Sequence, residues 1–341
     1  MVRKISAAVV ILTGLFASLL LFAYTTFQQN VNGTATPSRW PSANVTWSLN
    51  PTTGTNVDDT SGTSPVPAAT VLANAFSAWQ GAQLNGQSVT TLNVTRGADS
   101  SKTDPDGSDC TNLITFVPSS SVQFATGIIA TTTVTSVFGP VPSTYNCGST
   151  PLQTAQPSQI IDADIAFNPQ YQFSTSTPSL PGHYDLESVA IHEVGHLLGL
   201  EHDGIAHAAM YPFGDTGIGQ TRTLSPDDVA GIAYLYPAAG FNSMTGNISG
   251  QVSLNGDGVY AAHVVAVDKN SGAAVVDGLS GPNGDYTLQG VPPGTYQILV
   301  EPLTGVYTLS DFSGWTCGYA TNPNDCSSAP QNATNYASVF Y

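Results

Sequence analysis

The sequence is a chain of 341 residues with 23 acidic and 7 basic side chains, a formal net charge of −16 at pH 7. Such an acidic surface repels nucleic acids and anionic membranes, and it is compatible with an extracellular protein and with cation binding. The length suffices for two ordinary domains, and one domain followed by a long tail is the alternative.

The N-terminal segment, residues 1–23, places Arg3 and Lys4 before an apolar run that continues to about Tyr24. This layout predicts a secretory signal peptide, and the run of roughly 19 residues is also long enough for an uncleaved membrane anchor. Without Arg3 and Lys4, 5 basic side chains remain against 23 acidic ones, a formal charge of −18.

The region after the leader reads as a sheet with helices on it, which predicts an α+β domain. Val71, Leu72, Ala75, Phe76 and Trp79 recur at helical spacing and predict an amphipathic helix over 66–81, capped by Ser64, with its aromatic stripe in the core. Strand-like runs occupy 45–49, 91–95, 113–117, 128–137 and 160–167.

Two further helices are predicted before residue 237. Residues 185–200 form a long helical pattern, and a second helix follows Ser225 as N-cap, with Pro226 in its first position and two aspartates facing the helix dipole. Residues 238–246 read as a linker. Beyond it, short strands at 248–254, 262–268, 286–288 and 296–300 predict an all-β sandwich with a domain boundary near 240.

The four cysteines lie beyond the leader and show no CxxC spacing. In an exported chain they predict two disulfides, and proximity in the sequence favours Cys110 with Cys147 and Cys317 with Cys326.

The candidate metal-binding and catalytic residues lie in one stretch, HEVGHLLGLEH, from His192 to His202. On a helix His192 and His196 share a face and can bind one ion, and zinc suits imidazole ligands. Glu193 is placed to act as general base on a water at that ion. Gly199 can take the left-handed conformation that ends the helix, so that His202 becomes the third ligand. A leucine-rich core helix is the alternative explanation.

The pattern HExxHxxGxxH resembles the metzincin metalloproteases, and the following residues resemble the matrixins in particular. Ala208-Ala209-Met210-Tyr211-Pro212 is similar to the family's Met-turn, and residues 224–236 are similar to its terminal helix. The resemblance covers about residues 38–237 and implies a metzincin (zincin-like) fold, with a twisted mixed sheet and a long active-site helix. Residues 163–167 fit the family's substrate-flanking edge strand.

The resemblance also implies roles for three residues after the third histidine. Met210 lies beneath the imidazoles as a hydrophobic floor, and Pro212 and Phe213 form part of the wall of the pocket that accepts the side chain after the scissile bond. Tyr211 is not assigned to the metal. The cysteine-switch motif of matrixin precursors does not occur, so latency by that route is not expected.

One catalytic zinc ion is expected and no second zinc, because the family's structural-zinc stretch is shortened here to residues 168–173 and a Ser/Thr run. His183 is interpreted as a helix-start or surface residue, His207 as a loop residue, and His263 as a non-catalytic strand residue. The acidic loop Asp99 to Asp109 has oxygen ligands that suit Ca2+ but lacks EF-hand spacing; a disordered loop tied by Cys110 is the alternative.

Residues 247–341 form the second predicted domain. Up to about residue 303 it resembles the carboxypeptidase regulatory-like domains, which are transthyretin-like β-sandwiches, on Gly250-Gln251-Val252, Gly284-Asp285-Tyr286 and Pro292-Pro293-Gly294-Thr295-Tyr296. The remainder, with Cys317 and Cys326, either completes the sandwich or begins another structure.

The sequence therefore predicts a secreted, monomeric zinc endopeptidase that acts on proteins or peptides, with no nucleic-acid partner and with membrane contact only if the leader is uncleaved. An extracellular binding or adhesion protein that uses the protease fold as a scaffold is the alternative. A processing protease with a single target is a third interpretation.

Overall fold

The computed structural model describes residues 5–9, 24–139, 141–147, 150–151, 154–217, 219–322 and 325–341. The predicted leader therefore lies mostly outside the described residues, and its prediction stays untested. Among the described residues, no helix has the length and apolar character needed to cross a membrane.

The secondary structure mixes short strands with few helices, which agrees with the predicted mixture of α and β structure. The strands are Ile5–Val9 (β1), Gln28–Val31 (β2), Thr34–Pro37 (β3), Asn44–Leu49 (β4), Val57–Asp58 (β5), Gln83–Leu84 (β6), Gln87–Ser88 (β7), Asn93–Arg96 (β8), Leu113–Thr115 (β9), Ala130–Ser136 (β10), Asn146–Cys147 (β11), Thr150–Pro151 (β12), Ile160–Phe167 (β13), Phe173–Ser174 (β14), Tyr184–Asp185 (β15), Gly246–Leu254 (β16), Asp257–Gly258 (β17), His263–Asp268 (β18), Ala274–Leu279 (β19), Asp285–Val291 (β20), Tyr296–Glu301 (β21) and Val339–Phe340 (β22).

The α-helices are Ala68–Gln80 (α1), Leu186–Leu197 (α2), Pro226–Leu235 (α3), Phe241–Met244 (α4) and Ser313–Thr316 (α5). Short 3₁₀ turns occupy Gln220–Arg222, Leu309–Phe312, Cys317–Tyr319 and Cys326–Ser328.

The chain divides into two compact units. The motif-helix unit consists of Ser38–Leu200 and Phe213–Leu224. The C-terminal unit consists of Met1–Pro37, Glu201–Pro212 and Ser225–Tyr341. The predicted domain limits, 38–237 and 247–341, remain a prediction.

The motif-helix unit is built on a five-stranded sheet in the order β10-β13-β9-β4-β8. β13, β9, β4 and β8 pair in parallel, and β10 runs antiparallel to β13. Helix α2 packs on β10, β13 and α1. The Trp79 indole NH donates to the Ile191 carbonyl at 2.8 Å and ties the two helices together inside the core.

Two expectations for this unit are wrong. Residues 163–167 belong to β13, which pairs on both sides; β10 is the edge strand, which fits the almost continuous burial of β13 and the partly exposed, Thr-rich β10. Ser64 does not cap α1, because the helix begins only at Ala68, and Pro67 in the N-cap position makes no side-chain cap.

The C-terminal unit contains two four-stranded sheets. In one, β16 pairs with β1, β17 and β20; the other has the order β19-β18-β21-β22. One buried apolar cluster contains Val252 and Leu288 from the first sheet and Val264 and Val300 from the second. The end of the chain joins the second sheet, because Val339–Phe340 pairs with β21. The transthyretin-like assignment remains a prediction.

Both disulfide predictions are confirmed. Cys110 is bonded to Cys147 in the motif-helix unit, and Cys317 is bonded to Cys326 in the C-terminal unit.

Candidate metal centre

At the start of helix α2, a buried carboxylate accepts hydrogen bonds from both a backbone amide and an arginine. Asp185 is the N-cap, and its Oδ1 accepts the Ser188 amide at 2.9 Å. The guanidinium of Arg222 binds the same carboxylate through Nε to Oδ1 at 2.9 Å and Nη2 to Oδ2 at 2.5 Å. Arg222 also reaches Glu187 in the first helical turn. The pairing fixes the position of the helix that carries the histidines.

His192 and His196 lie one turn apart on α2, as the spacing predicts. Their Nε2 atoms are 3.0 Å apart, and the two rings are perpendicular. His196 is buried, whereas His192 is half-buried. The helix thus directs the same nitrogen of both rings to one point.

The helix ends in a Schellman turn, in which glycine is required. Gly199 has φ of 105°, a region that L side chains rarely adopt. The Leu200 amide donates to the Gly195 carbonyl at 3.0 Å, and the Gly199 amide donates to the His196 carbonyl at 2.9 Å. The predicted role of Gly199 as the helix-ending residue is confirmed.

The same turn orients His196. The Leu200 carbonyl lies 2.9 Å from His196 Nδ1, and because a carbonyl can only accept, Nδ1 carries the proton. The lone pair is then on Nε2, the nitrogen that faces His192. Metal-binding histidines commonly have such a carbonyl partner on their second nitrogen.

Glu193 is buried on the same helix, next to His192 in the sequence, and contacts the edge strand. Thr132 of β10 donates its hydroxyl to Glu193 Oε2 at 2.5 Å. Burial raises the pKa of the Glu193 carboxyl to about 7, and the Thr132 hydrogen bond opposes this rise. A carboxyl with a pKa near neutrality can accept a proton and release it again.

Thr132 was not found from the sequence, because it lies 61 residues from Glu193 within a run of threonines. Thr132→Val removes the hydroxyl that favours the carboxylate, so we expect a higher pKa of Glu193 and, for a reaction in which this carboxyl accepts a proton, a roughly 10- to 100-fold lower kcat/KM at pH 7. The acidic limb of the pH profile of kcat/KM should move to higher pH. Thr133→Val, at the exposed neighbouring position, is the control; equal loss in both variants would contradict the assignment.

His202 is described within the C-terminal unit. Its Nδ1 lies 2.5 Å from the Asp311 carbonyl, so this nitrogen also carries its proton and the lone pair is on Nε2. Glu201 Oε1 accepts the His202 amide at 3.0 Å. The ring is therefore held in the tautomer in which the Nε2 lone pair can bind a zinc ion.

The Met-turn, residues 208–212, lies in the C-terminal unit, and Phe213 lies in the motif-helix unit. Met210 is buried, and the amides of Ala209 and Met210 donate to the Asp228 carboxylate at 2.9 and 3.2 Å. Asp228, which the sequence placed only by its favourable helix-dipole position, thus anchors the turn. Pro212 is half-buried in the C-terminal unit, and Phe213 in the motif-helix unit has 48% of its surface exposed.

The remaining histidines have other surroundings. His207 is exposed, and His183 Nδ1 contacts the Pro181 carbonyl at 3.1 Å. His263 is buried in β18 between Asp277 and Glu301. Burial alone would lower the His263 pKa, but the two carboxylates outweigh it and raise the pKa to about 9.

The acidic loop 99–109 has internal contacts of its own. Lys102 pairs with Asp109, and the Asp106 amide donates to Asp164 at 2.8 Å. Within the described residues, no group of three potential ligands gathers in this loop. The calcium prediction for the loop remains untested.

The comparisons with known proteins agree with the class that the motif and fold suggest. Residues 147–237 match the family model described as Matrixin. This range contains α2, Glu193, the three motif histidines and the Met-turn residues. The matched region is therefore matrixin-like, and a zinc-dependent metalloprotease domain is supported there.

Individual relatives match stretches of 62 to 101 residues of this chain. "Metalloendoproteinase 2-MMP" of Arabidopsis thaliana is 53% identical over 62 residues, which cover 18% of this chain and 16% of the relative. "Karilysin" of Tannerella forsythia is 39% identical over 101 residues, 29% of this chain and 18% of the relative. "Stromelysin-3" of Mus musculus is 39% identical over 79 residues, which cover 20% of this chain and 16% of the relative. The chain thus spans less than a fifth of the length of these relatives.

Proposed function

We propose that the protein is a secreted zinc endopeptidase that hydrolyses peptide bonds in extracellular proteins or peptides. The observation that carries the proposal is the pairing of the His192 and His196 Nε2 atoms on the helix that also carries the buried carboxyl of Glu193. The matrixin-like match over 147–237 supports the same chemistry.

The residues fit a zinc ion. Two nitrogen ligands on a tetrahedral zinc ion at about 2.0–2.1 Å lie about 3.3 Å apart, close to the 3.0 Å between His192 and His196. Both His196 and His202 hold their proton on Nδ1 and offer Nε2. We propose His192, His196 and His202 as the three ligands.

Bound zinc supplies a Lewis acid that polarises a peptide carbonyl and makes water nucleophilic near neutral pH. Glu193 then accepts the proton of the attacking water and transfers it to the leaving amine. Thr132 holds the carboxyl in position and favours its ionised form before proton transfer. We assign Met210 as the floor of the site and Pro212 and Phe213 as part of the wall for the substrate side chain after the scissile bond.

The two disulfides support the proposal that the protein is exported. Two disulfides form in the described chain, and such bonds persist in oxidising compartments. The strongly acidic composition argues against a nucleic-acid partner. A monomer remains our expectation.

The test is metal analysis together with hydrolysis of casein and of a library of quenched fluorescent peptides. We expect about one zinc per chain, loss of hydrolysis with a chelator and recovery on adding zinc. His196→Ala should lose both zinc and activity, whereas His207→Ala, at an exposed position, should keep both.

Two outcomes would contradict the proposal. Absence of zinc from the wild-type protein would remove the metal centre. Full zinc content without hydrolysis of any library peptide would favour the adhesion protein that uses the fold as a scaffold. Cleavage of only one or a few library sequences would keep the enzyme and restrict it to a processing role.

A further inference from the structure

A second cluster of potential metal ligands lies inside the C-terminal unit. Asp203, Asp227 and Asp277 each offer an oxygen atom, and these atoms lie within 4.8 Å of one another. Their side chains come from the segment after His202, from the first turn of α3 and from β19. All three residues are at most 2% exposed.

The hydrogen bonds of these carboxylates leave two oxygens without a donor. Asp203 Oδ1 accepts the Ile205 amide at 2.5 Å, and Asp277 Oδ2 accepts the Gly204 amide at 3.0 Å and contacts His263 Nε2 at 2.5 Å. Asp203 Oδ2 and Asp277 Oδ1 are buried and accept no hydrogen bond from an N–H or hydroxyl donor, while the carboxyl groups of Asp203 and Asp227 contact each other. A buried oxygen without a donor is costly unless something positive faces it.

The charges do not balance either. The imidazole of His263 contacts the cluster through Asp277, and it also pairs with Glu301, so its single positive charge is shared between these two carboxylates. The ion pairs that Lys and Arg form in the described part of the chain involve none of the three aspartates. Two negative charges, those of Asp203 and Asp227, therefore remain without a counter-charge if both groups are ionised.

Asp228 differs from these three aspartates in the hydrogen bonds of its carboxylate. It neighbours Asp227 in α3, but its carboxylate accepts amides from Ser225, Ala209 and Met210. Asp227 Oδ1 accepts the amide of Asp277 at 2.8 Å. Burial, and then the charge of Asp277, raise the pKa of Asp227 well above its usual value. If these groups are ionised, the unbalanced charge thus lies on Asp203 and Asp227.

We propose that Asp203, Asp227 and Asp277 bind a Ca2+ ion inside the C-terminal unit, separate from the zinc centre. The donors are all oxygens, which suit a hard cation, and a divalent ion balances the two uncompensated charges. Mg2+ fits less well, because it keeps several waters and the carboxylates are buried. Asp277 lies outside the matrixin-like range, so this ion would join residues 203 and 227 to a strand beyond it.

The experiment measures Ca2+ binding to the purified full chain by equilibrium dialysis and by the midpoint of thermal unfolding, with Mg2+ in parallel. We expect one Ca2+ per chain that raises the unfolding midpoint by several degrees. Asp277→Asn and Asp203→Asn should each weaken binding tenfold or more. Asp257→Asn, an exposed aspartate of the same unit, and Asp106→Asn, in the acidic loop, should leave it unchanged.

The competing explanation is that Asp203 and Asp227 share protons instead of a cation. In that case the wild type binds no Ca2+, and the Asn variants keep or gain thermal stability, which would overturn the proposal. Binding that is lost only in Asp106→Asn would move the ion to the acidic loop and would equally overturn it. Zinc content and peptide hydrolysis are measured separately, so a failure here does not depend on the proposed activity.

A second measurement applies if the Asn variants do not fold. The Tyr24 amide donates to the Asp277 carbonyl at 2.6 Å, and the charge of Asp227 contributes to the raised pKa of Tyr24, so its ring lies near the cluster. Tb3+ bound there should show tyrosine-sensitised emission that Ca2+ displaces. Tyr24→Leu should lower that emission; unchanged emission would place the ion elsewhere.

Discussion

Glu193→Gln is expected to lower kcat/KM for peptide hydrolysis by about 10²- to 10⁴-fold, the range that a general base contributes. Glutamine has almost the same shape, so the buried position beside Thr132 stays filled. It cannot accept a proton, so the water that we propose as nucleophile would lose its base. Because the amide is neutral, burial no longer opposes a charge at this position, and the fold should be retained.

The measurement combines kcat and KM with zinc content and the unfolding midpoint of the same preparation. Glu187→Gln, on the first turn of the same helix, removes the same charge away from the histidines and should change kcat/KM by less than about threefold. If Glu193→Gln kept a third or more of the wild-type activity with full zinc content, another group would be the base. Activity lost together with zinc would indicate damage to the metal centre instead.

Arg222→Ala is expected to lower the free energy of unfolding of the motif-helix unit by about 3 kcal/mol, the lower end of what breaking a buried ion pair costs. Asp185 is 1% exposed and keeps only its helix-capping bond when the guanidinium is lost. The uncompensated carboxylate also lies at the start of α2, and its displacement would move His192 and Glu193.

Urea unfolding followed by tryptophan fluorescence measures this loss, since Trp40, Trp47 and Trp79 all belong to the motif-helix unit. Arg222→Lys should recover only part of the stability, because an ammonium group cannot make the two-pronged contact. Arg39→Ala, at an exposed arginine of the same unit, should cost no more than about 0.5 kcal/mol. A loss below about 1 kcal/mol in Arg222→Ala would show that the pair contributes little.

Several local features could be predicted from the sequence because their causes lie within a few residues. The i, i+4 spacing of His192 and His196 places them on one helix face, and Gly199 ends the helix with a positive φ. Ser225 caps α3 in a capping box with Asp228. The disulfide pairs followed from proximity along the chain.

The exact helix start was harder to predict. The Pro-rich entry to α1 offered Ser64 as a cap, but the helix begins four residues later, at Ala68. Local cap signals compete with the packing of the preceding segment, and Ser64 instead donates its amide to the Ser176 hydroxyl. The sequence pattern does not indicate that Ser64 and Ser176, 112 residues apart, are in contact.

The sequence by itself determined the motif helix, its glycine end and the residue types of the proposed zinc site, because helical geometry converts spacing directly into a shared face. Only the tertiary structure decided that β10 is the edge strand, that Thr132 binds Glu193, that Arg222 holds Asp185 and that Asp277 meets Asp203. Arg222 and Asp185 are 37 residues apart, Thr132 and Glu193 are 61 apart, and Asp277 is 73 residues from Gly204, which follows Asp203. Sheet order and packing bring them together, and no local periodicity records which distant residues will meet.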